Sequence, residues 1–267
     1  LVIGIDTLSR SIVIGDVHGC YYTLLTLLDK IDFDDSTDSL YFLGDLVGKG
    51  LYSAKVMDFM LTMKHVKVVL GNNDLYWMQY FYTGSKQRED FSEMDRYDNK
   101  GSWFAFLKKQ TFMIEKDFGV LVHASVDPSW TISDAISFNQ EMTNAMSIDA
   151  EKFLSNLATK KQNMNKELAR IAHGFLIFTQ CRYYKDDQVY LDAVGAPEEN
   201  TNLIPWYSMS RNINKPIIFG HWASLKGRRL PGGVINLDGG AVYGGKLMAL
   251  IGETGERFSV TRDHNDQ

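Results

Sequence analysis

The chain has 267 residues, 45% of them hydrophobic, which is enough for one large α/β domain or two small ones around a substantial core. A formal charge of −5 speaks against a general nucleic-acid binder, which carries a basic excess, while leaving room for a local basic pocket. No apolar run approaches the ~20 residues that span a bilayer, and the apolar start Leu1–Ile5 lacks the basic flank and cleavage site of a signal peptide.

Ser11–Ile14 reads as a strand and Tyr21–Ile31 as a helix, with Leu24, Leu25, Leu27, Leu28 and Ile31 at helical spacing. Leu40–Leu43 is a second strand, Tyr52–Met63 a second helix and Val66–Leu70 a third strand. A β-α-β-α-β run implies parallel strands joined by crossover helices. Leu75–Tyr82 starts another helix. Ser85–Asn99 is charged and poor in aromatics, which predicts a solvated loop or short-helix insertion. Ser102–Gln110 is an amphipathic helix, and Phe112–Glu115 with Val120–His123 is a hairpin about Asp117-Phe118-Gly119. Ile132–Leu157 and Lys166–Phe178 are helical by period. From Gln188 onward short strands return at Val189–Leu191, Ile217–Phe219, Val234–Leu237, Lys246–Ile251 and Phe258–Val260, between Gly-rich turns. The pattern predicts an α/β fold of two packed, mostly mixed sheets flanked by helices. No repeat, low-complexity tract or linker divides the chain, so a single domain is expected over 1–267.

Five of the strands end in a polar donor: Gly15-Asp16-Val17-His18-Gly19, Gly44-Asp45-Leu46-Val47, Gly71-Asn72-Asn73-Asp74, Val122-His123-Ala124 and Phe219-Gly220-His221-Trp222. Leu237-Asp238-Gly239-Gly240 follows in the same order. Strand ends are where an open α/β sheet presents its working loops. Two carboxylates, three imidazoles and one carboxamide converging there would form a nitrogen–oxygen cage for two divalent first-row metals, with Asp45 as the shared oxygen ligand. His65 and His264 lie in a loop and a polar tail and read as surface histidines; His173 reads as a packing residue. The two cysteines, Cys20 and Cys181, form no C-x-x-C pair. Buried thiols in a reducing, cytoplasmic setting are expected.

The motif order GDVHG, GDLV, GN-x-D, HA and GH resembles the calcineurin-type, or phosphoprotein-phosphatase, metallohydrolases. Longer stretches are similar to the bacterial symmetric diadenosine-tetraphosphate hydrolases within it: GDVHGCYYTLLTLLDKI, VVLGNNDLYW, the segment around His123, IPWY, FGHWASLKGR and LDGGAVYGGKLMAL. The resemblance covers nearly the whole chain and is weakest over 83–101 and 131–170. It implies a calcineurin-like fold of two face-to-face mixed sheets, with a helical cap insertion at about 131–180. By position, Asp16 and His18 would hold a first metal, Asp45 would bridge, and Asn72, His123 and His221 would complete the second. Manganese is the expected metal, with iron, cobalt or zinc as alternatives. Asp74 would orient a neighbouring ligand, and Asp238 would do the same or cap a turn. Lys49 stands where the family has Arg, and Arg182 matches one of two family arginines, the other being Gln180 here. Both cations would face phosphate, Lys49 without the bidentate fork of Arg. Trp206 and Tyr207 could stack on a base, though core packing is the simpler use.

The largest departure from the family is Asn73, where the pattern has His, the residue taken to protonate the leaving group. Asn cannot donate that proton, and loss of a general acid costs about 10²–10⁴-fold in rate. A serine alkoxide needs the proton far more than a nucleoside diphosphate does. Asn73 therefore argues against protein dephosphorylation more than against anhydride cleavage. Ser125, where Gly is usual, is a further departure. The implied activity is symmetrical hydrolysis of diadenosine tetraphosphate to two ADP, with nucleoside-tetraphosphate caps of RNA 5′ ends as a related substrate and no obligate protein partner. The alternatives are a Ser/Thr protein phosphatase and a catalytically weakened nucleotide-binding module.

Overall fold

The computed structural model describes residues 9–84, 89–157 and 166–267. In chain order the first half runs β1 (Ser11–Ile14), α1 (Tyr21–Lys30), β2 (Ser39–Phe42), α2 (Ser53–Thr62), β3 (Val66–Val68), α3 (Asn72–Thr83), α4 (Lys100–Leu107), β4 (Met113–Lys116) and β5 (Gly119–Val122). Three helices follow, α5 (Ile132–Ile148), α6 (Ala150–Leu157) and α7 (Lys166–Thr179). The second half is strand-rich: β6 (Tyr183–Lys185), β7 (Gln188–Tyr190), β8 (Ile204–Pro205), β9 (Ile217–Phe219), β10 (Arg229–Leu230), β11 (Val234–Asn236), β12 (Asp238–Gly239), β13 (Lys246–Ile251) and β14 (Arg257–Thr261).

Two mixed sheets form the centre. The first has the order β12-β13-β1-β2-β3 with β14 added on β13, and the second has the order β10-β11-β9-β5-β4. β1, β2 and β3 are parallel, as their crossover helices require, and β13 runs antiparallel to β1. In the second sheet β9 lies parallel to both β11 and β5. Side chains alternate faces along a strand, and the sequence uses both. Ile12, Ile14, Leu40 and Phe42 join the core under the helices. Val13, Tyr41 and Leu250 of the first sheet meet Leu121, Ile218 and Ile235 of the second in a separate cluster between the sheets. Each such fully buried aliphatic side chain contributes about 1.5–3 kcal/mol. The α/β, two-sheet expectation holds.

Several elements differ from the sequence reading. A small third sheet, β7-β6-β8, is antiparallel and was not foreseen. The helix expected over 132–157 breaks at Asp149, whose backbone leaves the helical region (φ −145°, ψ 85°). Its carboxylate then accepts the Lys152 N–H at 2.9 Å and starts α6. Within the stretch expected to be solvated, Glu89–Arg96 is a 3-10 helix whose Phe91 and Met94 are fully buried. Residues 85–88 of that stretch, and 158–165 of the expected cap, lie outside the described residues. α5 packs on α6, α7 and β4, and α6 packs on α3. Both cysteines are buried, and burial pushes each thiol up to about 12. Among the described residues no helix is long and apolar enough to cross a membrane.

Candidate metal centre and its cavity

The strand ends of β1, β2, β5 and β9 and the start of α3 meet at one point. Two acid–imidazole sets lie there: Asp16, His18 and Asp45, and Asp45, His123 and His221. Within each set the ligand atoms lie within 4.8 Å of one another, and Asp45 belongs to both. Asn72 joins the second set, its Oδ1 being 3.2 Å from His123 Nε2. All six residues singled out as metal donors are therefore brought together.

The loops reach this arrangement through unusual backbone. His18 (φ 47°), Asp45 (φ 51°), Lys49 (φ 67°) and His221 (φ 61°) are all in the left-handed region, which costs a side-chain-bearing residue about 1–3 kcal/mol each. Close approach requires glycine beside them. A Cβ on Gly220 would sit 2.0 Å from Asp16 Oδ1, and one on Gly71 would sit 2.2 Å from Asp45 Oδ1. The His221 N–H donates to both oxygens of Asp16 at 3.0 Å. Asn73 holds both oxygens of Asp45, its backbone N–H on Oδ1 at 2.8 Å and its amide on Oδ2 at 2.6 Å. The N-terminus of α3 thus points the Asn73 N–H at Asp45, where a negative charge is favoured. Asp74 lies behind, accepting the backbone N–H groups of Asp45, Leu46 and Gly71 at 2.8–2.9 Å.

The donor chemistry fits divalent cations. His123 Nδ1 donates to the Leu43 carbonyl at 2.6 Å and His18 Nδ1 donates to the Val47 carbonyl at 3.3 Å. A carbonyl only accepts, so these bonds place the ring proton on Nδ1 and leave the Nε2 lone pair facing the centre. His221 is reversed: its Nε2 donates to the Gln180 carbonyl at 3.1 Å, leaving Nδ1 as its donor atom. Burial keeps all three imidazoles neutral, His18 down to about 4 and His221 well below its ordinary value. Neutral imidazole is the ligating form. Asp16 is held well above the usual carboxylate range by burial and by the charges of Asp238 and Asp45. Burial opposes ionisation of Asp45 too, but the Lys49 charge and the Asn73 N–H favour its ionised form, and its pKa is lowered. Buried acids this close together call for a cation.

A cavity of about 820 Å³ opens above the centre, lined by His18, Asp45, Asn72 and Asn73 together with Lys49, Arg182 and Asp238. Lys49 Nζ lies 3.3 Å from His18 Nε2, and Arg182 Nη2 donates to the His221 carbonyl at 3.0 Å. Asp238 accepts the Gly240 N–H at 3.0 Å, the turn-capping use. Not every candidate belongs here. Trp206 is fully buried in the core and absent from the cavity wall, and Tyr207 packs its ring on Trp222. Gln180 donates its amide to Tyr76, and Ser125 donates to the Ile177 carbonyl. His65 and His264 are exposed, and His173 pairs with Asp127 at 3.0 Å against Trp130. The sequence reading missed Tyr243, Lys226 and Lys246, which also line the cavity. Each stands in one of the two longest matching stretches near the C-terminus, which was the signal available.

Residues 9–224 match the family model described as calcineurin-like phosphoesterase. The chain is 31% identical over 260 residues to the symmetrical bis(5′-nucleosyl)-tetraphosphatase of Klebsiella pneumoniae (strain 342), covering 92% of each. It is 32% identical to the enzyme of that name from Edwardsiella ictaluri (strain 93-146), covering 94% of this chain and 95% of the other. Among solved structures, a protein provisionally named diadenosine tetraphosphatase superposes with a TM-score of 0.64 at 21% identity, over 97% of this chain and 96% of that one. A protein serine/threonine phosphatase from Saccharomyces cerevisiae gives 0.52 at 14% identity, over 96% and 80%. These two likenesses show a shared fold.

Proposed function

Because the chain belongs to the calcineurin-like phosphoesterase family, we propose that it hydrolyses a dinucleoside polyphosphate, diadenosine tetraphosphate cleaved symmetrically to two ADP, with two divalent metals held around Asp45. One observation carries the reading: two acid–imidazole sets share Asp45 on the floor of an 820 Å³ cavity walled by Lys49 and Arg182. The tetraphosphatase name of relatives matched over nine-tenths of both chains supports the choice of substrate.

Asp16 and His18 would hold one ion, Asn72, His123 and His221 the other, and Asp45 both. Such a pair, when bound, supplies Lewis acidity to the phosphoryl group and a nucleophile at neutral pH. The chain's own groups do the rest. Arg182 and Lys49 offset the charge of a polyphosphate entering a site that already holds the buried carboxyl groups of Asp16, Asp45, Asp74 and Asp238. Asn73 fixes both Asp45 oxygens but has no acidic proton to give, so the site favours leaving groups that depart without one. A nucleoside diphosphate is such a group and a serine alkoxide is not, which ranks a protein phosphatase below the anhydride hydrolase. The same feature motivates the second reading, a weakened enzyme that binds nucleotide and turns over slowly.

The test is product analysis after incubating the manganese-loaded protein with diadenosine tetraphosphate, alongside a phosphoserine peptide and a nucleoside-tetraphosphate-capped RNA. ADP as sole product, faster than phosphate from the peptide, is expected. ATP with AMP would refute symmetry, and turnover of the peptide alone would refute the substrate class.

A further inference from the structure

We infer that the cavity contains a nucleotide subsite built from Tyr243, Lys226 and Lys246, which takes a nucleoside diphosphate with its base on Tyr243 and its phosphates near the two lysines. The inference rests on the proposed function, since it gives one half of the substrate a place to sit.

Tyr243 is 66% exposed, although it is a large ring on the wall of a cavity. It ends a short 3-10 turn, Ala241–Tyr243, between Gly240 (φ 70°) and Gly244 (φ 84°). Those glycines let the chain turn sharply on both sides, and the ring is carried out over the cavity instead of into the core. The Lys49 ammonium lies 5.3 Å from its ring centroid, so the residue that reaches His18 also faces the ring. Val194, 72% exposed, is another apolar group on the same wall. A few apolar groups beside convergent polar ones are the usual make-up of a small-molecule site.

The charges agree. Lys226 holds left-handed backbone (φ 53°) immediately before Gly227 (φ 67°), a strained position for a long side chain. Lys226 and Lys246 are exposed, and neither forms an ion pair among the described residues. Among the described residues, Asp238 is the one carboxylate on this wall besides Asp45, and it accepts the Gly240 N–H. Two unpaired cations beside an exposed ring suit a ligand that is anionic at one end and flat at the other.

Calorimetric titration of ADP and of inorganic diphosphate into the manganese-loaded full chain tests this without turnover. ADP should bind more tightly than diphosphate. Tyr243→Ala should weaken ADP roughly ten-fold, the loss of one base stack, and leave diphosphate unchanged, with Tyr243→Phe retaining the wild-type affinity. Lys226→Gln with Lys246→Gln should weaken both ligands together. Thermal melting of each variant checks folding. ADP affinity indifferent to Tyr243→Ala would overturn the subsite even if symmetrical cleavage is observed. ADP binding that depends on Tyr243 in a protein that cleaves no dinucleotide would uphold the subsite and sink the proposed function.

Discussion

Asn73 shows how one side chain can hold a site and limit it at once. Its two bonds to Asp45 are short, 2.8 and 2.6 Å, so the shared carboxylate is fixed before any ligand arrives. Asn73→His would keep the backbone bond, exchange the amide for an imidazole and introduce a proton donor. Turnover should rise by up to about 10²-fold for a phosphoserine peptide and by less than about ten-fold for diadenosine tetraphosphate, because proton donation matters in proportion to the charge on the departing oxygen. Equal gains on both substrates would mean that residue 73 acts by positioning Asp45. Arg182 calls for a different measurement. It is largely buried and bonded to the His221 carbonyl, yet it lines the cavity. Arg182→Ala should raise KM for the dinucleotide about ten-fold with metal content unchanged, the cost of one or two charge-assisted hydrogen bonds. A normal KM would leave Arg182 a purely structural role. At this scale the sequence was most legible for donors that follow a strand directly. It was least legible for Tyr243, because nothing in Gly240-Ala241-Val242-Tyr243-Gly244 tells an exposed ring from a buried one.

Elements place these residues, and the junctions matter more than the elements. α3 starts at Asn72, three residues before the apolar period begins, because Asp74 accepts the Gly71 N–H and closes the first turn. The period marks the buried face of a helix and is silent about a polar first turn, so the sequence reading placed the start at Leu75. Strands β1 and β9 are read to the residue and β5 to within one, because each is an apolar run ended by a donor. Strands β6, β8, β10 and β12 were not seen: they span two or three residues and carry Tyr, Lys, Arg, Pro, Asp or Gly, with too few positions for an alternation to register. Gly220 follows β9 and shows what a junction must permit. Gly220→Ala would press a methyl group against Asp16 Oδ1, 2.0 Å away. Relief requires moving Asp16 off the His221 N–H, at about 1–3 kcal/mol of stability. Elemental analysis should then find one bound manganese in place of two. Two ions still bound at full strength would show that Asp16 holds neither.

The whole molecule gathers most of its buried ionisable side chains at one place, Asp38 and Asp266 lying elsewhere, so stability and metal binding are linked. Without metal, Asp16 stands well above the usual carboxylate range, Asp238 is pushed to about 6 and Asp74 to about 7, each chiefly by burial. The native metal-free protein therefore keeps protons that the unfolded chain releases near pH 4. Between those values the native state binds more protons, and its stability falls as pH rises. The histidines act in the opposite sense. The unfolded chain protonates them below their ordinary 6.5, whereas the native state holds His18 near 4 and His123 and His221 low, so their contribution grows with pH and levels off at 6.5. Up to pH 6.5 the two trends oppose each other; above it only the carboxyls still titrate. The melting temperature of the chelator-treated protein should accordingly decline from pH 6.5 to about 7.5. Manganese reverses this, since a cation among the carboxylates favours their ionised form, and an ion that binds the native state at 100 times its Kd adds about 2.7 kcal/mol. The loaded protein should melt higher than the chelated one, by a margin that widens across the same pH interval. A constant margin, or a chelated protein that grows more stable above pH 6.5, would mean that the metals do not lie close enough to these acids to shift their ionisation.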